Sequence, residues 1–224
     1  MKRLFLLCCC LAAAVPFSAR GESLERALRA VTDSVRATVG VAVVFGDGDT
    51  LAVNGGRCYP MLSVCKFHQA LAVLDRLDRR GLPLTTRIPV RRSDLLSGTW
   101  SPLREACPGG GRFTVAELLT YSVAQSDNNV CDVLFRFLGG TEAVDRYIAG
   151  LGIGETVIVA DEEMMHRHTD NQYLNRTTPL AAVRLLELFR RGELLSAAYG
   201  DFLLETMFAT ETGPDKLRGL LPAA

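Results

Sequence analysis

Ser63 and Lys66, in "MLSVCKFHQA", are spaced so that an amine could take a proton from a hydroxyl. A serine hydroxyl is a weak nucleophile until a neighbouring base removes its proton. Residues three apart on a helix share one face, so the Lys66 amine would reach the Ser63 hydroxyl if this stretch opens a helix. A helix N-terminus also favours developing negative charge, and the Ser63 backbone N–H would be one donor to an oxyanion. The ordinary alternative is that Ser63 only caps the helix. An S-x-x-K match arises about once by chance in a chain of this size, so the spacing does not decide between the two. "SDN", Ser126-Asp127-Asn128, offers a hydroxyl to relay a proton and an amide to hold a carbonyl. It too has a plain reading as a helix cap and turn.

These residues need elements to position them. "SLERALRAVTDSV" spaces Leu24, Leu28, Val31 and Val35 as a helix, and "VGVAVVFGDGDTLAVNG" reads as a hairpin of Val39 to Phe45 with Thr50 to Val53. A pair of strands is marginal alone and needs cover. From residue 61 the pattern is nearly all helical. Leu71, Leu74 and Leu77 mark a helix stopped by Gly81, and Thr114 with Glu117 forms a capping box. Further helices start at Thr141, at Thr178-Pro179 with Gly192 as the stop, and in "SAAYGDFLLETMFA". Helix, hairpin and a long helical block predict an α+β fold, with an all-helical lobe inserted into an antiparallel-sheet lobe. The expected divisions are 22–58 for the first part of the sheet lobe, 59–210 for the helical lobe and 211–224 for the start of the return.

The 224 residues carry 25 basic and 25 acidic side chains, which gives no reason to expect nucleic acid or an anionic membrane as partner. "MKR" followed by "LFLLCCCLAAAVPF" reads as a secretory signal, removed near residues 19–21 where Ala19 and Gly21 offer a cleavage site. The lipoprotein alternative fails because Leu6 and Leu7, not small residues, precede Cys8. Cys58, Cys65, Cys107 and Cys131 then remain in an oxidising periplasm, either as isolated thiols or with one disulfide. Their spacing lacks a paired C-x-x-C pattern, so no structural zinc is expected.

S-x-x-K followed by S-D-N is the motif pair of class A β-lactamases and penicillin-binding proteins. The chain resembles the class A serine β-lactamases, and most closely their extended-spectrum, PER-type cephalosporinase branch. The likeness lies in "YPMLSVCKFHQALAVLDRLD", "LLTYSVAQSDNNVCDVLF", "DEEMMHRHTDNQYLNRTTPLAA" and "TGPDKLRGLLPA", in the family's order. It implies that Ser63 is acylated, Lys66 accepts its proton, Ser126 passes a proton to the leaving nitrogen, and Asn128 binds the substrate's side-chain amide. It implies that Glu162, rather than a plain member of the acidic run Asp161-Glu162-Glu163, activates water for deacylation. His166 and Ala160 depart from the commonest pattern in a PER-like way. His166 is then a loop residue, Asn175 helps close the loop, and Asp132 is an ordinary hydrogen-bonding residue. The implied partner is a small-molecule β-lactam, acting on a monomer, without metal or other cofactor.

"HRHTD" also matches the H-x-H-x-D motif of zinc hydrolases. With only three histidines in the chain and no strand-rich context, that chemistry lacks its ligands. K-T-G, the family's third motif, occurs nowhere in the sequence. The resemblance therefore implies a β-lactamase truncated before that motif. The 224 residues alone would be missing a second oxyanion donor, worth on the order of a hundred- to a thousandfold in rate. An inactive remnant, a β-lactam-binding module, and a D,D-peptidase type of penicillin-binding protein are the alternatives left open.

Overall fold

The computed structural model describes residues 17–46 and 48–214. Most of the expected signal segment and the end of "TGPDKLRGLLPA" lie outside the described residues. The chain runs α1 (Phe17–Ser34), the hairpin β1 (Val41–Val44) and β2 (Thr50–Val53), β3 (Tyr59–Pro60), and a 3₁₀ turn (Leu62–Val64) leading into α2 (Cys65–Arg80). A second hairpin, β4 (Arg87–Arg91) with β5 (Gly110–Thr114), flanks α3 (Pro102–Ala106). Then come α4 (Val115–Leu119), a wide π turn (Thr120–Ala124), α5 (Asn128–Leu138), α6 (Thr141–Gly150), α7 (Glu162–Arg167), β6 (Arg176–Thr177), α8 (Pro179–Arg190) and α9 (Ala197–Phe208). This is an α+β fold in which every described strand pair is antiparallel.

The buried face of α2 is continuous because Leu71, Leu74 and Leu77 recur at helical spacing, all fully buried. They join Val130 and Leu134 of α5 and Val144 and Ile148 of α6 in one core. Gly81 stops α2 in the left-handed conformation, at φ 61°. Thr114 and Glu117 form the expected capping box on α4, and Thr178 with Pro179 opens α8.

Two expectations need correction. The segment after residue 61 is not all helical, since β4 and β5 pair from Arg87↔Thr114 to Arg91↔Gly110. Ile88 and Val90 alternate inward there while Arg87, Pro89 and Arg91 face out. Gly110 makes the tight end possible: its φ is +76°, and a Cβ would lie 2.2 Å from the Val90 carbonyl oxygen. The stripe of α1 is helical as expected but largely uncovered, with Val31 64% exposed, while the polar Thr32 is the buried member. The four cysteines are free: Cys65 and Cys131 are buried, Cys107 is half-buried and Cys58 is exposed.

Candidate active site

Ser63 sits in the 3₁₀ turn just ahead of α2, and its side chain caps neither helix. Its Oγ instead accepts from Lys66 Nζ at 3.3 Å and from Ser126 Oγ at 3.0 Å. That removes the plain cap reading and leaves the hydroxyl exposed at the mouth of a polar cluster. Leu62, directly before it, has φ +46°, and Ser126 has φ +58°. Left-handed backbone at a non-glycine residue costs on the order of 1–3 kcal/mol and persists only where the surroundings hold it. Here it aims both serines at the same point. Below Leu62, Met61 N–H donates to the Asn175 carbonyl at 2.9 Å and ties this turn to the end of the active-site loop.

Lys66, the second residue of α2, is only 2% exposed and is the hub. Its Nζ lies 2.6 Å from Asn128 Oδ1, 2.8 Å from the Ser126 carbonyl oxygen and 3.2 Å from Ser126 Oγ. Glu162 Oε1 stands 3.2 Å away on the other side. A buried amine needs such polar partners, since a buried polar group without them is costly.

The S-D-N segment combines a helix cap with two side chains that contact Lys66. Asp127 is the cap of α5, accepting from Val130 N–H at 2.9 Å. The same carboxylate accepts from Ser101 Oγ at 2.9 and 3.0 Å and from Leu103 N–H at 2.8 Å, pinning α3 to α5. Burial raises its pKa above the ordinary carboxylate value, against the pull of these donors. Ser126 and Asn128 on either side face Lys66. Asn128 is engaged at both ends, since its Nδ2 donates to Thr99 Oγ1 at 2.8 Å. A substrate carbonyl at Asn128 must share or displace that bond.

Glu162 opens α7, whose cap is Asp161. Its placement depends on a residue that the sequence reading passed over as ordinary. Asp132 of α5 accepts Glu162 N–H on Oδ1 at 2.7 Å and Glu163 N–H on Oδ2 at 2.9 Å. Burial, helped by the charges of Asp161 and Glu162, pushes the Asp132 carboxyl up to about 7. Asn175 is fully buried and closes the loop. Its Oδ1 accepts from Val159 and Ala160 N–H, both at 2.9 Å, and its Nδ2 donates to the Ala160 carbonyl at 2.7 Å. Ala160 is itself fully buried, so the loop is braced here through its backbone rather than by an ion pair. His166 is exposed and lines a small cavity of about 80 Å³ with Ser97, Thr99, Asp132 and Glu162.

The other histidines stand apart from this cluster. His68 is buried on α2, with Nδ1 3.1 Å from the Val64 carbonyl, and burial lowers its pKa to about 4. His168 is exposed, its Nδ1 3.8 Å from Asp170.

The sequence pattern of the beta-lactamase enzyme family matches residues 23–224. A beta-lactamase from Bacteroides uniformis is 41% identical over 202 residues, covering 89% of this chain and 68% of that protein. The extended-spectrum beta-lactamase PER-1 of Pseudomonas aeruginosa is 39% identical over 208 residues, covering 92% and 68%. Among solved structures, a beta-lactamase from Chitinophaga pinensis superposes with a TM-score of 0.85 at 43% identity, covering 91% of this chain and 75% of that one. The chain belongs to the beta-lactamase enzyme family, on the class A side that includes PER-type extended-spectrum enzymes.

Proposed function

We propose that this protein hydrolyses β-lactam antibiotics, cephalosporins and penicillins, through a serine acyl-enzyme, and so confers resistance. One observation carries the reading: a single buried amine, Lys66 Nζ, touches the Ser63 and Ser126 hydroxyls and the Glu162 carboxylate within 3.3 Å. In this reading Ser63 Oγ attacks the lactam carbonyl while Lys66 Nζ accepts its proton, directly or through water. The Ser63 N–H donates to the developing oxyanion. Ser126, 3.0 Å from Ser63 Oγ, hands a proton to the nitrogen as the C–N bond breaks. Asn128 holds the substrate's side-chain amide once its bond to Thr99 opens. Glu162 takes a proton from the water that attacks the ester, and the acyl C–O bond to Ser63 breaks. The Ser63 oxygen regains a proton from the Glu162–Lys66 pair, which restores the free hydroxyl.

Asp132 and Asn175 are positioning residues in this scheme, acting through the backbone of the loop that presents Glu162. His166 is a loop residue at the cavity rim. The protein acts as a monomer after export and removal of the N-terminal signal; no helix among the described residues is long and apolar enough to cross a membrane.

Intact-protein mass measurement after brief mixing with a cephalosporin tests the assignment. A transient adduct on the peptide containing Ser63 is expected, absent in Ser63→Ala. An adduct that survives in Ser63→Ala would refute it.

A further inference from the structure

The seam between α2 and α5 holds two thiols that the serine chemistry does not use, next to the carboxylate of Glu162 that it does. Cys65 opens α2 and Cys131 lies in the first turn of α5; both are fully buried free thiols. Their sulfurs and a carboxylate oxygen of Glu162 all lie within 4.8 Å of one another. The donors come from three separate elements, each held by its own packing or hydrogen bonds, so the convergence does not depend on one flexible loop.

Burying two cysteines as plain hydrophobic residues needs no carboxylate beside them. Here the carboxylate is also short of a partner. Glu162 Oε1 is buried and makes no hydrogen bond, although Lys66 Nζ is 3.2 Å away. Lys66 Nζ is already engaged by four other oxygens, on Ser63, Ser126 and Asn128. A second acceptor is orphaned on the same seam. Gln69 Nε2 donates to the Cys131 carbonyl at 2.9 Å, while its buried Oε1 has no hydrogen bond. A cation held by the two sulfurs and the Glu162 carboxylate would supply the partner that this carboxylate lacks. Two sulfurs bound at about 2.3 Å in a tetrahedral site stand roughly 3.8 Å apart, so sulfurs within 4.8 Å of each other need to close by about an ångström at most. Paired thiolates with one carboxylate select thiophilic ions over magnesium or calcium.

We propose that Cys65, Cys131 and Glu162 bind one thiophilic divalent cation of the Zn²⁺ class, and that occupancy withdraws Glu162 from the Lys66 side of the site. On binding, each thiol gives its proton to bulk water, and the ion gains two sulfur bonds and one carboxylate bond. No electrons are transferred. The resulting loss of deacylation rests on the role of Glu162 proposed above, whereas binding itself does not.

The test is titration of the purified, reduced protein with Co²⁺ alone. A thiolate-to-cobalt charge-transfer band should grow to a one-to-one end point with release of about two protons per ion, and excess Zn²⁺ should abolish it. Cys65→Ala and Cys131→Ala should each lose the band. Cys65→Ser and Cys131→Ser guard against a packing defect, with circular dichroism and Ser63 acylation showing that the site is still folded. No band in the unaltered protein, or a band that persists in both cysteine variants, would overturn the proposal. A wrong role for Glu162 would show up separately, as fast deacylation in metal-free Glu162→Gln with the cobalt band of the unaltered protein intact.

Discussion

The α2–α5 seam and the pair formed by α1 and β1 use the same kinds of apolar residue, yet the seam is far more deeply buried. Leu71, Leu74 and Leu134 are fully buried, while Leu24 and Val31 of α1 and Val35 just after it are between 37% and 64% exposed and β1 is half-covered along its length. Lys66 and Asn128 are carried by the tight region, on helices whose inner faces cannot shift without opening the core. The difference teaches where precision is held. The cluster of polar contacts at 2.6 to 3.3 Å around Lys66 Nζ hangs from the part of the molecule that has least room to move.

Substitutions can break that contrast, beginning with the largest effect. Leu71→Ala should cost about 2–5 kcal/mol in denaturant unfolding, because it leaves a cavity in a filled core. Asn175→Ala should cost up to about 3 kcal/mol, since it strands the Val159 and Ala160 N–H groups. It should slow deacylation more than acylation, as rapid-quench measurements on the two steps would show. Thr114→Ala should cost about 1 kcal/mol through the lost cap on α4. Val31→Ala, on the uncovered stripe, should shift stability by no more than about 0.5 kcal/mol. Equal losses at Leu71 and Val31 would erase the distinction between the two regions.

Asp132 sharpens the contrast through pH. Its carboxyl is raised to about 7 from an ordinary 3.8, so between these values the folded protein holds a proton that the unfolded chain has released. The stability from this group is full below pH 4 and declines as pH rises through 7. Asp132→Asn cannot titrate, and it keeps only one of the two acceptors for the loop. Its stability should therefore be lower near pH 5 and change less between pH 4 and 7, measured as denaturation midpoints across that range.

Features that depend on near neighbours were readable in the sequence. The serine and lysine three apart, the capping box at Thr114 and the stop at Gly81 all appear where spacing and side-chain chemistry put them. The β4–β5 hairpin was hidden because "RIPVR" is short, charged and interrupted by Pro89, and its partner strand starts in a run of glycines. The stripe of α1 had helical period but no burial, since period reports conformation and not cover. Asp132 looked ordinary because its partners, the Glu162 and Glu163 N–H groups, are 30 and 31 residues away. The meeting of Cys65 with Cys131 depends in the same way on helix packing that no local pattern announces.

The central claim is that Lys66 and Glu162 flank Ser63 so that an ester formed there is hydrolysed rather than trapped. Its most direct test is the lifetime of the acyl-enzyme in Glu162→Gln, followed by mass after mixing with a cephalosporin. The account predicts normal adduct formation on Ser63 and a lifetime longer by at least about a hundredfold, the scale of a positioned general base. Deacylation as fast as in the unaltered protein would contradict it.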